Sequence, residues 1–349
     1  MNIVLLSGGS GKRLWPLSND IRSKQFIKIF KLEDGRYESM VQRVYRQIRN
    51  VDSGARITVA TSKTQVSAIH NQLGDGVGIS VEPCRRDTFP AIVLATAYLH
   101  DVQGIDPEEG VVVCPVDPYV DESYFAMLKT LGQQAEKGEA NLVLMGIEPT
   151  YPSEKYGYII PENKDIISKV STFKEKPDIK TAESYIAQGA LWNGGVFAYK
   201  MSYMLEKAHE LIDFTDYQDL FAKYETLTPI SFDYAVAEKE SRIQVIRYGG
   251  QWKDLGTWNT LTESMEESAV GEAILNEKNR LLQDLIATHS MEANKEDQAV
   301  DQAAPQDLLP DGGGAEGMAE AYSMADGEGS HQEDGLDLPN MDAVLQEIG

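Results

Sequence analysis

A glycine-rich segment near the start of the chain has the composition of a phosphate-binding loop. Residues 7–17 follow an apolar run, Asn2 to Leu6, and contain three glycines; Arg13 lies within the segment and Lys24 shortly after it. Glycines leave backbone N–H groups accessible to phosphate oxygens, and the two cationic side chains add fixed positive charge. The glycine spacing differs from that of a Walker A loop and of a dinucleotide-binding fingerprint, so we expect an anion cradle of another kind.

A carboxylate follows one of the apolar runs of the chain. Asp117 comes shortly after Val111 to Cys114, a run that is typical of a central strand. Open α/β sheets bind ligands at the carboxyl ends of their strands, and a hard carboxylate there suits Mg²⁺. An aspartate standing alone in this position would more often be an ordinary loop or capping residue.

The elements that must position these residues alternate between strand-like and helix-like segments over the first 260 or so residues. This alternation predicts an α/β fold, with a Rossmann-like, mostly parallel mixed sheet flanked by helices. Thr88, two residues before Pro90, is predicted to cap a helix that continues through residues 91–99. The predicted strands are Asn2 to Leu6, Arg56 to Thr61, Ile79 to Glu82, Gly110 to Cys114, Leu142 to Ile147 and Ile243 to Arg247.

The C-terminal part of the 349-residue chain differs in composition from the rest. Residues 279–349 contain 16 Asp and Glu but two Lys and Arg, a large part of the net charge of −23. Leu281, Leu282, Leu285 and Ile286 have the spacing of an amphipathic helix, whereas residues 309–335 have too little apolar surface to offset the entropy of ordering. We therefore predict a catalytic domain over residues 1–265, a linker with an amphipathic helix over 266–295, and a largely disordered acidic tail over 296–349.

The overall charge and composition argue against several classes of protein. The negative charge disfavours nucleic acids and anionic membranes as partners, and the sequence contains no apolar run long enough to span a bilayer. Cys84 and Cys114 are too few for a disulfide framework, and the N-terminal residues do not resemble a signal peptide. We expect a cytoplasmic protein.

Seven segments together carry a family resemblance. They include Gly-Gly-Ser-Gly-Lys-Arg-Leu-Trp-Pro-Leu-Ser at residues 8–18, Phe-Lys-Glu-Lys-Pro at 173–177 and Trp-Asn-Gly-Gly-Val-Phe at 192–197. The remaining segments are residues 82–92, 115–117, 156–159 and 252–258. Because all seven occur in matching order, the chain resembles the sugar-1-phosphate nucleotidyltransferases, and more closely the mannose-1-phosphate guanylyltransferases.

The resemblance implies a reaction in which GTP and mannose-1-phosphate give GDP-mannose and pyrophosphate, with Mg²⁺ held by Asp117 and Asp254. It leaves a homodimer open. The implied catalytic residues are Arg13, Lys24, Asp117 and Asp254. The implied nucleotide-binding residues are Leu6, Gly8, Gly9, Ser10, Gly11, Glu82, Arg86, Asp87 and Thr88. The implied sugar-binding residues are Gly157, Tyr158, Glu175, Lys176 and Asn193.

The chain departs from the family pattern at a few positions. Ser23 replaces the usual Pro, Pro118 follows Asp117, and Asp87 replaces the usual Asn, while the acidic tail stands where a β-rich segment normally follows. Two alternatives therefore remain: a related transferase of other nucleotide or sugar specificity, and a catalytically silent protein that binds a sugar nucleotide and regulates a partner.

Overall fold

In a computed structural model of the protein, residues 1–9 and 23–254 are described. The described part has thirteen strands, most of them gathered in one large sheet. The strands are β1 (Asn2–Leu6), β2 (Lys28–Lys31), β3 (Tyr37–Ser39), β4 (Arg56–Ser62), β5 (Gly78–Glu82), β6 (Gly110–Pro115), β7 (Pro118–Val120), β8 (Leu142–Ile147), β9 (Tyr158–Pro161), β10 (Ile167–Lys174), β11 (Leu191–Lys200), β12 (Ile243–Tyr248) and β13 (Trp252–Asp254).

Helices cover both faces of the large sheet. In β1, Ile3 and Leu5 point into one apolar core and Val4 into another, and all three are fully buried, so apolar side chains line both faces of this strand. The α-helices are α1 (Met40–Val51), α2 (Val66–Leu73), α3 (Thr88–Ala97), α4 (Glu122–Glu136), α5 (Ile179–Ala187), α6 (Met201–Leu211) and α7 (Tyr217–Lys223).

Local sequence sets several of the helix starts. Ser39 and Gln42 form a reciprocal capping box at the start of α1, which satisfies two backbone N–H groups of the first turn. The N-cap of α3 is Asp87, whose side chain accepts from the Thr88 N–H, so the prediction of Thr88 as the cap was wrong by one residue. Asp87 has a φ of 66° and a ψ of −174°, a combination that is found almost only at glycine, so the backbone at this N-cap is strained.

The nine-stranded sheet runs in the order β5-β4-β1-β6-β11-β8-β12-β10-β9. The pairs among β5, β4, β1 and β6 are parallel, as is the pair of β8 with β12, whereas β9, β10 and β11 make antiparallel pairs with their neighbours. The prediction of a mixed sheet is confirmed, but "mostly parallel" describes its first half only. The second half is mixed: β8 and β12 are parallel to each other, whereas β11 runs opposite to β6 and β8, and β10 runs opposite to β12 and β9.

The long strand β11 changes partners along its length. Leu191 and Trp192 pair with β9, whereas Phe197 to Lys200 pair with β6, and the register against β8 shifts between Asn193 and Phe197. Gly195 lies in this irregular stretch with a φ of 71°, which only glycine adopts without strain. On one side of β11, β9 and β6 therefore pair with different parts of the strand and leave a split in the sheet between them. Residues 193–196 of β11 line this split.

The described residues all belong to the first of two compact units, Met1–Thr288 and His289–Gly349. The predicted linker helix, acidic tail and domain boundaries lie outside the described residues and stay predictions. Within residues 1–9 and 23–254, no helix combines the length and apolar character needed to cross a membrane.

Candidate active site

Both ends of the glycine-rich segment are held by buried side chains. Gln25 donates from Nε2 to the Ser7 carbonyl oxygen at 2.7 Å, and Gln65 donates from Nε2 to Ser23 Oγ, also at 2.7 Å. Ser23 in turn donates to the Gly9 carbonyl oxygen at 3.3 Å. Ser7, Ser23, Gln25 and Gln65 are at most 2% exposed, so these bonds are shielded from competing water. The network fixes where the chain leaves β1 and where it returns ahead of Lys24.

Lys24 and Asp117 meet beside this segment. The Lys24 Nζ lies 2.9 Å from Asp117 Oδ2, with the lysine side chain 13% exposed and the aspartate side chain 38% exposed. Leu6 and Pro115 are register partners in the parallel pair of β1 with β6, so the glycine segment and Asp117 both leave the sheet at the carboxyl ends of adjacent strands. Two residues predicted from separate motifs are thus in direct contact.

The backbone of Asp254 lies next to the same point. Strands β7 and β13 form an antiparallel ribbon in which Asp254 pairs with Pro118, the residue after Asp117. Asp117 and Asp254 are 137 residues apart in sequence, and this pairing makes them neighbours. Mg²⁺ is usually held by one or two carboxylates together with substrate phosphates and water, so the two residues fit such an ion.

Glu82 faces the glycine segment from the end of β5. A Cβ at Gly8 would lie 3.2 Å from Glu82 Oε1, while the other carboxylate oxygen, Oε2, accepts from the Tyr224 hydroxyl at 2.9 Å. Burial raises the pKa of Glu82 to about 7, although the Tyr224 hydrogen bond opposes the shift. A largely buried carboxylate that is half ionised near neutral pH is costly unless a ligand donates to it.

The residues that follow Glu82 are tied to a distant part of the chain. Phe89 N–H donates to the Ile230 carbonyl oxygen, and Thr88 Oγ1 accepts from the Phe232 N–H at 2.8 Å. The Arg86 guanidinium donates to the Glu225 carbonyl oxygen. In this structure Arg86 and Thr88 therefore make contacts within the protein, and their predicted roles in binding a nucleotide stay predictions.

A second cluster of polar side chains lies beside the split in the sheet. Lys176 Nζ lies 2.5 Å from Glu175 Oε1, whereas Glu175 Oε2 is buried and has no hydrogen-bond partner among the described residues. A Cβ at Gly157 would lie 2.5 Å from Glu175 Oε2 and 3.2 Å from Asn193 Cβ. Only glycine at position 157 leaves room for this carboxylate, and the unpartnered oxygen is suited to accept a hydrogen bond from a ligand hydroxyl.

Asp233 joins this cluster and was not found from the sequence. Asn193 donates from Nδ2 to Asp233 Oδ1 at 2.7 Å, and Asn193 Oδ1 accepts from the Gly195 N–H at 3.1 Å. Burial, followed by the negative charge of Glu175, raises the pKa of Asp233 to about 6. No periodicity marks Asp233 in Ser-Phe-Asp-Tyr, and only its contact with Asn193 identifies it.

The two clusters are connected through the end of β6. A Cβ at Gly195 would lie 3.8 Å from Pro115 Cγ, two residues before Asp117. The structure therefore brings together Gly8, Glu82, Lys24 and Asp117 in one group, and Gly157, Glu175, Lys176 and Asn193 in a neighbouring group.

The side chain of Tyr158, the first residue of β9, lies in the core. Its side chain is fully buried, its ring lies 6.2 Å from that of Tyr185, and its hydroxyl accepts from the Ser153 N–H. The ring is a core residue in this structure, and the predicted role of Tyr158 in sugar binding stays a prediction. Ser10, Gly11 and Arg13 lie outside the described residues.

Glu82 should make the stability of the protein depend on pH. The folded pKa of about 7 exceeds the usual value of 4.5, so the folded state binds more protons between these values and loses stability as pH rises through them. Replacing Glu82 with Gln removes this cost, and we expect it to raise the free energy of unfolding at pH 8 by about 1–3 kcal/mol. Urea unfolding of the unchanged protein and of Glu82→Gln at pH 8 and pH 5 measures the difference in free energy of unfolding. This difference should be smaller at pH 5. An equal difference at both pH values would contradict the raised pKa of Glu82.

Comparisons with known proteins identify the family of the chain. The nucleotidyl transferase family matches residues 2–270. The chain is 34% identical over 294 residues to the xanthan biosynthesis protein XanB of Xanthomonas campestris pv. campestris (strain B100), covering 77% of this chain and 60% of that protein. It is 31% identical over 305 residues to a mannose-1-phosphate guanylyltransferase of Escherichia coli, covering 78% of this chain and 63% of that protein. The chain thus spans about 60% of the length of these curated relatives.

Solved structures show the same fold. A protein of Thermus thermophilus described as a mannose-1-phosphate geranyltransferase is 30% identical, with a TM-score of 0.64, over 76% of this chain and 79% of that one. A UDP-glucose pyrophosphorylase solved with UDP-glucose is 15% identical with a TM-score of 0.54, over 79% of this chain and 98% of that one, and it supports the fold alone. Because the family match spans more than half of the chain and takes in every described element, the chain belongs to the nucleotidyl transferase family.

Proposed function

We propose that the protein forms GDP-mannose and pyrophosphate from GTP and mannose-1-phosphate. The observation that carries the proposal is the contact between Lys24 and Asp117 at the end of β6, with a buried carboxylate on either side of it. Glu82 faces the glycine segment on one side, and Glu175 faces Gly157 on the other. This arrangement provides a charged centre for phosphates between two separate groups of hydrogen-bond acceptors.

The reaction would proceed by in-line attack of the sugar phosphate oxygen on the α-phosphorus of GTP, with pyrophosphate leaving. The attacking phosphate is already ionised at neutral pH, so the reaction requires neither a general base nor a covalent intermediate. Lys24, together with Arg13, would neutralise charge on the departing phosphates, and the network around Gln25 holds the backbone that precedes Lys24. Catalysis then consists of positioning and electrostatic stabilisation.

Asp117 and Asp254 would hold Mg²⁺. The ion supplies charge stabilisation at the oxygens that gain negative charge during transfer. In the structure Asp117 is paired with Lys24, so the lysine would exchange this partner for phosphate oxygens when substrates bind.

Glu82 accounts for a preference for guanine. Guanine presents two adjacent donors, N1–H and the exocyclic amino group, whereas adenine presents an acceptor at N1. An ionised carboxylate accepts from both guanine donors, and it is bonded on its other side to Tyr224. These hydrogen bonds would offset the cost of ionising a carboxylate whose pKa burial raises to about 7.

The group around Glu175 would bind the sugar. Vicinal hydroxyls of the sugar can donate to Glu175 Oε2 and to Asp233 Oδ2, the carboxylate oxygen that does not accept from Asn193. The Lys176 ammonium would meet the sugar phosphate. Asn193 is oriented by its bonds to Asp233 and Gly195, so its amide is held in one orientation before a ligand arrives. Preorganised acceptors of this kind favour one arrangement of hydroxyls over another.

Release of pyrophosphate from ATP, CTP, GTP and UTP in the presence of mannose-1-phosphate or glucose-1-phosphate tests the proposal. We expect the highest kcat/KM for GTP with mannose-1-phosphate, and we expect Glu82→Gln to reduce the preference for GTP over ATP by about 10-fold or more, as expected for a lost hydrogen bond to a charged group. Higher kcat/KM for UTP with glucose-1-phosphate would overturn the substrate assignment. Absence of transfer with every pair, combined with tight binding of GDP-mannose, would instead indicate a binding protein.

A further inference from the structure

The ribbon of β7 and β13 is separate from the large sheet. It pairs three residues with three, Trp252 with Val120, Lys253 with Tyr119, and Asp254 with Pro118. A two-stranded pair of this length is not stable by itself, so its position must come from side chains that bind it to the rest of the protein. Asp254 lies on this ribbon, and Asp117 directly precedes the ribbon. The position of the ribbon therefore sets the backbone positions of both aspartates.

Arg43 of α1 contacts the ribbon from one side. Its Nη2 donates to the Val120 carbonyl oxygen at 3.0 Å, and its guanidinium carbon lies 4.8 Å from the centre of the Tyr119 ring. The same carbon lies 5.4 Å from the centre of the Phe30 ring, and the two rings are 5.8 Å apart and nearly parallel. Planar stacking on two rings together with a hydrogen bond to a carbonyl is a combination that a lysine ammonium does not reproduce.

Phe30 connects this contact to Lys24. It lies on β2, which follows the turn Lys24–Phe26 after one residue. Arg43 therefore touches two segments at once: the ribbon next to Asp117, and the strand that follows Lys24. These are the two segments whose charged side chains meet at 2.9 Å.

Asp121 secures the other end of the ribbon. Its Oδ2 accepts from the Gln251 N–H at 3.1 Å, and its Oδ1 accepts from the Tyr248 hydroxyl at 3.0 Å. These bonds fix the connection from β12 to β13, but they do not reach β2. Between the ribbon and the Lys24 segment, Arg43 adds its contacts to the stacking of Phe30 on Tyr119 and to the ion pair of Lys24 with Asp117.

We propose that Arg43 is a positioning residue for phosphate transfer, which holds the ribbon of β7 and β13 at a fixed distance from the Lys24 segment. The proposal rests on the proposed function, since it assigns a role in the same reaction. Loss of the stacked guanidinium would let the ribbon move relative to Lys24, so that Lys24 and the aspartates no longer act on the phosphates together. Substrate binding by Glu82 and Glu175, which lie on other elements, would remain.

Arg49 provides a matched control on the same helix. It also lies over an aromatic ring, that of Tyr45 at 5.2 Å, and it also donates to backbone carbonyl oxygens, those of Ser53 and Ala55. Its contacts are at the far end of α1 and reach neither β2 nor the ribbon. Arg49→Lys therefore removes the same kind of interaction without affecting the ribbon.

The experiment compares Arg43→Lys and Arg49→Lys with the unchanged protein. For Arg43→Lys we expect a kcat at least 10-fold lower, KM values for both substrates within about 3-fold of the original, and faster amide hydrogen exchange in peptides covering residues 117–121 and 252–254. Arg49→Lys should leave kcat, both KM values and the amide exchange of these peptides unchanged. Binding of GTP without added metal should be the same in all three proteins.

A structural role alone would give a different result. If the kcat of Arg43→Lys merely followed a lower Tm, or if the exchange of the ribbon peptides stayed unchanged, the proposal would be overturned. The exchange measurement is independent of turnover. Should the unchanged protein show no transfer activity, the proposed function would fail, and exchange in the ribbon would still decide whether Arg43 positions it.

Discussion

Replacing Asp117 with Asn is expected to lower turnover by about 100-fold or more, equivalent to about 3 kcal/mol of transition-state stabilisation. The substitution keeps the shape of the side chain but removes the charge that faces Lys24 and that would hold Mg²⁺. Because the Asp117 side chain is 38% exposed and lies outside the apolar core, the fold should be retained. Steady-state rates of pyrophosphate release, measured at saturating substrates, give the size of the loss.

Asp75→Asn is a suitable control for this substitution. The Asp75 side chain is 99% exposed and lies in the turn after α2, so the change alters net charge equally without touching the site. Unchanged melting curves for both variants would exclude unfolding as the cause. Near-original turnover of Asp117→Asn at saturating Mg²⁺ would make Asp117 a structural partner of Lys24 and would remove the metal assignment. Asp254→Asn is expected to behave like Asp117→Asn.

Glu175→Gln is expected to raise KM for mannose-1-phosphate by about 10- to 100-fold, the loss expected for a hydrogen bond to a charged acceptor. The amide cannot supply two acceptor oxygens, and it no longer pairs with Lys176. Gly157→Ala should have a similar effect, because its Cβ would lie 2.5 Å from Glu175 Oε2 and would displace the carboxylate. KM for GTP should change little in either variant, since Glu175 lies in the sugar group.

Glu183→Gln serves as the control, because Glu183 is exposed on the nearby helix α5. Initial rates measured while each substrate is varied in turn separate the two KM values. A rise in KM for GTP equal to that for the sugar phosphate would show that Glu175 acts on the whole site. An unchanged KM for mannose-1-phosphate in both Glu175→Gln and Gly157→Ala would refute the sugar site.

Strands formed by unbroken apolar runs were predicted well from the sequence. The six predicted strands all occur, with ends that differ by at most one residue, because apolar side chains on consecutive positions favour strands buried on both faces. Strand β11 was not predicted, since Asn193, Gly194 and Gly195 interrupt its apolar pattern. That interruption is where the strand changes partners and where the candidate sugar site lies.

The sequence by itself determined the glycine-rich composition of the segment after β1, from which phosphate binding is predicted, the position of Asp117 after a central strand, and, through resemblance, most of the candidate site residues. Only the tertiary structure decided which of these side chains meet. Lys24 and Asp117 come into contact because β1 and β6 are adjacent in the sheet, and Asp233 joins Asn193 across 40 residues. The tertiary structure also placed Tyr158 in the core and Arg43 against the ribbon. Such contacts depend on strand order and on the register between distant segments, which local residue patterns do not encode.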